Sequence, residues 1–475
     1  MLDGYKTADG DRKGSRVIIV VLLIFYGIIS LFIGAKDYRF RGEEPTRLVM
    51  SYEMFYQGKW AQPTYLGENY YRKPPLINWL IEGSSYLWGW SKFTGRFVSI
   101  FSTILVLILL YSFSFIYIYK SHLFALLSSL VFLSFIDVLF WYGFLIEIDM
   151  TLTFFVLLQI LALYLSFRER SYVFFAISGF SMSLAFLLKG FPSYVFFGAT
   201  SIALLLYYFI VNRKIDVFFL KGILFSLIIS FIPIFIWIYN LPNPEIYLHT
   251  LWSESFGRVE KSKDIFKFIT HLISYPILNI KQTLLMSGVV IILLLKNFRN
   301  IRTFLIPDKP ILPLVLIFFI NYIPYWISAG ARGRYILPLL PLVAIYIVDI
   351  LRRNLSLKKG FKLIVFIAFF TFSIRILLGL FYFPYETSKK GFYYKVSSSI
   401  FYKLDKRYYN YIVSDCEKHK GLIFYLDIWT HSLITTEKLK PDWKYFISCK
   451  KRLKEDILGE FYIKDEKIIL YQRVK

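Results

Sequence analysis

The chain has 475 residues, 57% of them hydrophobic and 20% aromatic, with a formal net charge of +24. A mean hydropathy of +0.54, with repeated apolar runs of about 20 residues, excludes an ordinary soluble domain and predicts spanning helices. Backbone groups in hydrocarbon must be paired internally, and the short alternating segments of a transmembrane barrel are missing, so a helical bundle is expected. The positive charge then reads as loop bias and attraction to anionic lipid, not as a nucleic-acid footprint.

In chain order, spans are predicted near 17–34, 97–119, 123–140, 150–167, 171–188, 193–211, 217–239, 283–296, 311–328, 335–351 and 362–383, about eleven in all. The first follows Arg12, Lys13 and Arg16, and without a convincing small-residue cleavage site it reads as an anchor and not a leader. One set of loops is short and basic: Lys120, Arg168 with Arg170, Arg213-Lys214, Lys296 with Arg299 and Arg302, and Arg352-Arg353 with Lys358-Lys359. These are expected in the cytoplasm. Loops 35–96, 141–149, 189–192, 240–282 and 329–334 then fall outside, and the N-terminus falls inside.

The first external loop, 35–96, holds Arg41-Gly-Glu43-Glu44-Pro45 and Tyr71-Arg72-Lys73-Pro-Pro-Leu76. Pro45 suits an early helical position, and carboxylates are favoured at a helix start. Leu48, Tyr52 and Phe55 recur at helical spacing, and Leu76, Trp79, Leu80 and Leu87 follow Pro74-Pro75. Two interfacial helices forming a platform over the bundle are expected. Glu43 and Glu44 are candidate catalytic carboxylates, Glu43 the stronger, although helix capping alone would account for a Glu44 in this place.

The next external turn adds Glu147 and Asp149, and Lys189-Gly190 ends a span outside, against the charge bias. That lysine calls for a carboxylate or phosphate partner. The 240–282 loop brings Glu254 and Arg258, and Arg332, Arg334 and Tyr335 stand where a later span re-enters. Arginine matches a phosphate bidentately. Cations gathered on the external side predict that something anionic binds there.

From about 384 to 475 the composition turns polar, and a small external α/β domain is expected. Short apolar runs at Tyr411–Val413, Leu422–Leu426 and Lys467–Tyr471 read as strands. Both cysteines, Cys416 and Cys449, lie in this domain, as a disulfide in an oxidising compartment or as two core thiols. Five histidines show no metal-ligand spacing, and a phosphate-binding glycine loop after a strand is missing.

Glu43-Glu-Pro-Thr-Arg47, Lys73-Pro-Pro-Leu76, Ile148-Asp149, Leu188-Lys-Gly190, Glu254 with Arg258, and Arg334-Tyr-Ile-Leu-Pro338 together resemble the GT-C type glycosyltransferases that use polyprenyl-phosphate sugars. The nearest kin are the aminoarabinose lipid A transferases and protein mannosyltransferases. The resemblance implies an all-α polytopic bundle over 1–383 and a soluble external domain over 384–475. It also implies a bacterial inner-membrane location, a polyprenyl (undecaprenyl-type) phosphate sugar donor, and lipid A, another glycolipid or a protein as acceptor. Glu43 takes the place of the family's acid in the first external loop, with Asp149 as a second acid near the sugar. Lys73, Arg258, Arg334, Tyr335 and Lys189 would hold the donor phosphate, and Arg72, Glu254 and Glu147 would line the substrate site. No cofactor is evident; a divalent cation stays open, although the family's metal-binding acid before Lys-Pro-Pro is replaced by Arg72. The competing classes are a flippase or transporter of lipid-linked sugar and a polysaccharide ligase or polymerase. Transporters place polar residues and broken helices near the midplane, whereas these spans are apolar there and charge collects on one face.

Overall fold

The computed structural model describes residues 3–260, 265–450 and 455–473, with only the backbone course for 3–13 and 256–260. Helix α1 (Asp3–Phe32) leads into a loop carrying α2 (Glu44–Gln57), the hairpin β1 (Thr64–Tyr65) and β2 (Glu68–Asn69), and α3 (Leu76–Trp88). The bundle continues through α4 (Lys92–Phe113), α5 (His122–Leu133), α6 (Ile148–Glu169), α7 (Tyr172–Lys189), α8 (Pro192–Asn212) and α9 (Val217–Tyr239). Next come α10 (Pro244–Glu260), α11 (Ile265–Gln282), α12 (Leu284–Lys296), α13 (Ile301–Leu305), α14 (Leu312–Trp326), α15 (Leu340–Asn354) and α16 (Leu357–Leu377). The C-terminal part holds α17 (Phe383–Lys390), α18 (Phe392–Phe401), β3 (Ile412–Ser414), α19 (Lys420–Thr430), β4 (Tyr445–Ser448), β5 (Asp456–Ile463) and β6 (Glu466–Gln472).

The chain is a multi-pass membrane protein. Among the described residues eight helices are long and apolar enough to cross a membrane, and a ninth crossing results if α11 and α12, bent by 110°, form one span. The expected span at 283–296 is thus the second arm of a bent pair, and that at 123–140 stops as a helix at Leu133. Small residues let the helices approach, as they do where lipid supplies no hydrophobic drive. A Cβ at Gly179 of α7 would lie 2.2 Å from the Ser226 carbonyl oxygen of α9, and one at Gly222 would meet the Phe175 ring at 2.1 Å.

The platform differs from a pair of helices lying on lipid. Every residue of α2 from Glu44 to Met54 is buried, because α19 covers the side that would have faced solvent. Its Glu53 accepts hydrogen bonds from the Thr64 hydroxyl (2.6 Å) and the Leu66 and Gly67 amides (2.6 and 3.1 Å). Leu66 and Gly67 both have positive φ, as a two-residue hairpin turn of matching twist requires. Burial pushes the Glu53 carboxyl up to about 7 against those hydrogen bonds.

Glu44 is corrected from a catalytic candidate to the anchor of the loop. Arg96 of α4 donates from Nε and Nη2 to its two oxygens at 2.8 and 2.7 Å, and both side chains are fully buried. The remaining guanidinium hydrogens go to the carbonyls of Ala35, Tyr38 and Arg39 at 2.7, 2.9 and 3.0 Å. Glu44 also accepts from the amides of Arg41 and Ile146, at 2.8 and 3.0 Å. With its oxygens turned inward to these donors, it cannot meet a substrate.

The C-terminal domain is a four-stranded sheet in the order β3-β4-β6-β5, with β3 parallel to β4 and the other pairs antiparallel. The expected strands at 411–413 and 467–471 appear as β3 and β6, but Leu422–Leu426 is part of the helix α19. Gly421 to Asp427 are all buried. The continuous apolar run that suggested a strand belongs to a helix packed against α18 and against α2. Cys416 and Cys449 form a disulfide between the ends of β3 and β4. The domain is seated on the platform by the Tyr65 hydroxyl donating to the Glu417 carbonyl (2.9 Å) and the Thr436 amide donating to the Leu66 carbonyl (3.1 Å).

Removing one partner of a buried pair leaves an uncompensated charge, at a cost of about 3–5 kcal/mol. Arg96→Met should therefore lower the melting temperature in detergent strongly, and adding Glu44→Gln should recover part of the loss. Thermal unfolding of the two variants beside the parent checks this; an unshifted Arg96→Met would remove the anchor from the account.

Candidate active site

The turn before α6 and the starts and ends of three other elements bring four charged side chains together. Asp149, in the first turn of α6 and 3% exposed, accepts from Lys189 Nζ at the end of α7 at 2.6 Å. Arg334, which follows Gly333 where the chain re-enters the bundle, places Nη1 3.4 Å from Asp149 and 3.3 Å from Glu147. The carboxylate partner expected for Lys189 is thus Asp149. Lys189 also lies over the Tyr335 ring at 4.8 Å. Burial, with Asp149 beside it, pushes the Glu147 carboxyl up to about 7 in spite of Arg334 and Arg47.

One cavity opens at Lys189 of this cluster, and a larger one lies beyond Glu43. The first, of about 210 Å³, is lined by Lys73, Lys189, Glu254 and Tyr335 together with Phe191, Pro192, Val195 and Phe196. Its polar end meets the charged cluster, and Phe191 is shared with a wider apolar cavity of about 870 Å³ along Phe231 and Phe235 of α9. Lys73 is held in place through its carbonyl, which accepts from the Tyr247 hydroxyl at 2.6 Å. Arg258 lies in α10, but its side chain is outside the described residues.

On the other side Glu43 caps α2 and is 52% exposed. Its carboxylate accepts from the Thr46 hydroxyl at 3.1 Å and lies 3.9 Å from Lys420 Nζ of the C-terminal domain. Burial would raise this carboxyl, but Lys420, Arg47 and Thr46 together hold it below the usual carboxylate range. The backbone before it presses on the charged cluster: a Cβ at Gly42, which has φ +49°, would lie 3.0 Å from Glu147 Oε1. Glu43 faces a cavity of about 750 Å³ between the first loop and the C-terminal domain, and Arg72 lines it too. A cation at the place of the family's metal-binding acid does not fit a metal site there.

Sequence reasoning passed over two residues of this region. Arg47, 5% exposed, has Nε and Nη1 without hydrogen-bond partners and acts on both Glu43 and Glu147. Its place four residues after Glu43, inside the same short motif, was the available signal. Lys420 carries no local signal, because only the tertiary fold brings residue 420 to residue 43.

The comparisons meet this geometry. The solved ArnT from Cupriavidus metallidurans bound to undecaprenyl phosphate superposes with a TM-score of 0.72 at 16% identity, over 95% of this chain and 97% of that one. Its apo form gives 0.70 at 15% identity over the same shares. The chain has the ArnT fold. A family profile described as dolichyl-phosphate-mannose-protein mannosyltransferase matches residues 72–237, a stretch of the ArnT-type bundle that includes Lys73, Glu147, Asp149 and Lys189. An undecaprenyl phosphate-alpha-4-amino-4-deoxy-L-arabinose arabinosyl transferase of Pseudomonas fluorescens is 28% identical over 184 residues, covering 38% of this chain. A transferase of the same description from Yersinia pestis is 25% identical over 175 residues, or 36% of this chain. These matches span about a third of the relatives, 33% and 31% of their lengths.

The unfolded chain ionises Glu147 near 4.5 and the folded protein only near 7. Ionisation therefore costs the native state a growing amount as pH rises through that window, at most about 3 kcal/mol. Glu147→Gln should gain melting temperature relative to the parent from acidic to neutral pH and hold a constant difference above it. A difference that does not vary with pH would refute the raised carboxyl.

Proposed function

We propose that this chain is an integral-membrane glycosyltransferase that moves a sugar from a polyprenyl phosphate to lipid A or another glycolipid. It works at the external face of the bacterial inner membrane, with the N-terminus inside and the C-terminal domain outside. The observation that carries the reading is the junction of the Asp149–Lys189–Arg334 cluster with a cavity that is basic at one end and apolar at the other. The phosphate of the donor meets Lys73 and Tyr335, and its isoprenoid tail follows the apolar cavity toward α9. Cysteines joined as a disulfide support an oxidising compartment for the domain that carries them.

An oxygen of the acceptor attacks the anomeric carbon as the bond from that carbon to the donor phosphate breaks, and the electron pair leaves on the polyprenyl phosphate. Fixed cations stabilise the charge growing on the leaving phosphate, and in a cavity closed to bulk water this preorganised charge is effective. Asp149, held ionised between Lys189 and Arg334, faces the developing positive charge on the sugar ring. Glu43 lies on the acceptor side, where it takes a proton from a hydroxyl acceptor or orients one that is already ionised. The displacement inverts the anomeric centre. The mannosyltransferase profile over residues 72–237 supports a second reading, in which the acceptor is a protein hydroxyl.

Mass spectrometry of lipid A and of total glycoprotein from a host with the gene deleted, restored, or restored as Lys73→Ala or Asp149→Asn tests the assignment. One sugar mass should vanish from lipid A on deletion and return with the parent gene. Each variant, expressed at parent level, should restore less than about 1% of it, a loss of about 3 kcal/mol of transition-state stabilisation. Full restoration by both variants would sink the reading, and a mass lost from glycoprotein alone would move the acceptor to protein.

A further inference from the structure

On the reading above, with the donor seated in the cavities beside Lys189 and α9, the cavity between the first loop and the C-terminal domain is left over. It is lined by seven basic side chains against three acidic ones. Three of the cations are occupied: Arg39 and Lys390 face Glu386 at 2.7 and 4.0 Å, and Lys92 donates to the Asp37 and Tyr38 carbonyls at 3.4 and 3.0 Å. Arg72, Lys418 and Lys464 have no carboxylate within salt-bridge distance among the described residues. Lys420 has Glu43 at 3.9 Å but also lies in the repelling fields of Arg47 and Arg72. Burial pulls its ammonium below the ordinary lysine range, with Glu43 opposing. A concave surface with this charge attracts an anion, and charge-assisted hydrogen bonds make phosphate a strong ligand for it.

Thr387 and Lys390 at the end of the last long apolar helix, with Gly391 after it, form part of the wall, where a span of that length leaves the hydrocarbon. Phe392, Tyr393 and Tyr394 continue that wall, as aromatic side chains do at a membrane surface. Resting on the glycosyltransferase reading above, we propose that this cavity binds the phosphate of an anionic glycolipid acceptor, and that Lys420, delivered by the C-terminal domain to the side of Glu43, is the specificity-determining residue. A phosphate there satisfies the cations that Glu43 cannot balance alone, whereas a neutral peptide hydroxyl leaves them facing one another. When the bound phosphate is itself the nucleophile, one of its oxygens bonds to the anomeric carbon as the polyprenyl phosphate departs. No proton then needs to move, and Glu43 serves to hold Lys420 in line.

The test uses the full-length protein in nanodiscs and measures Kd by thermophoresis for three probes. These are bisphosphorylated lipid A, the same lipid A stripped by alkaline phosphatase, and undecaprenyl phosphate. Lipid A with its phosphates should bind at least tenfold more tightly than the stripped form. K420M should lose about tenfold for the phosphorylated form only, K420R should recover most of it, and undecaprenyl phosphate should bind all three proteins alike. Recovery by arginine and the intact donor affinity separate a binding role from a folding defect. Equal binding of the two lipid A forms, or parent-like binding by K420M, overturns the proposal while undecaprenyl phosphate binding keeps the donor reading. No binding of undecaprenyl phosphate by the parent sinks the glycosyltransferase reading instead. Inorganic phosphate that displaces lipid A at its own Kd concentration would make this a free-anion site and also overturn the proposal.

Discussion

The Arg96–Glu44 pair holds together segments that the chain keeps far apart. Through this one pair, the 35–41 turn, the start of α2, helix α4 and the turn before α6 are fixed to each other, the last by the Ile146 amide donating to Glu44. Every donor of Arg96 is used, which is the condition under which a buried charge is tolerable. The functional geometry follows from this join, since Glu43 is the residue before Glu44, and Asp149 lies three residues beyond the amide of Ile146 that Glu44 accepts. Moving the anchor would move both acids at once.

Around the join the protein separates two kinds of electrostatics. Around Asp149 the carboxylate is balanced at close range by Lys189 and Arg334, so the opposite charges there are paired within the protein. In the cavity beyond Glu43 the cations outnumber the carboxylates, and the walls come from the first loop and the C-terminal domain. Arg47, buried between the two with Nε and Nη1 unpartnered, acts on Glu43 and Glu147 alike through its charge. One region has its charges paired, and the other carries an excess of positive charge.

Much of this was legible in the sequence, and the parts that were not share a cause. The apolar runs announced the spans, since a bilayer imposes its thickness on any helix that crosses it. The loop charge pattern grouped Glu43, Glu147, Asp149, Lys189 and Arg334 on one side, and the fold brings the last four into contact. Adjacent Glu43 and Glu44 look alike in the chain yet do opposite things, because Arg96, fifty-two residues on, decides which one turns inward. Leu422–Leu426 looked like a strand because a helix buried on two faces loses its polar stripe. Lys420 has no meaning until the C-terminal domain docks.

That docking also gives the molecule a timing. The loop bearing Glu43, Glu53 and the hairpin leaves the ribosome well before the segment that covers it, with Glu417, Lys420 and Thr436. Until then the carboxylate of Glu53 and the buried side of α2 lack the surface that encloses them. The contacts from Tyr65 and Leu66 to Glu417 and Thr436 therefore cannot close until the chain has been made past Thr436, so a loop already threaded at its bilayer waits uncovered for a partner more than three hundred residues downstream.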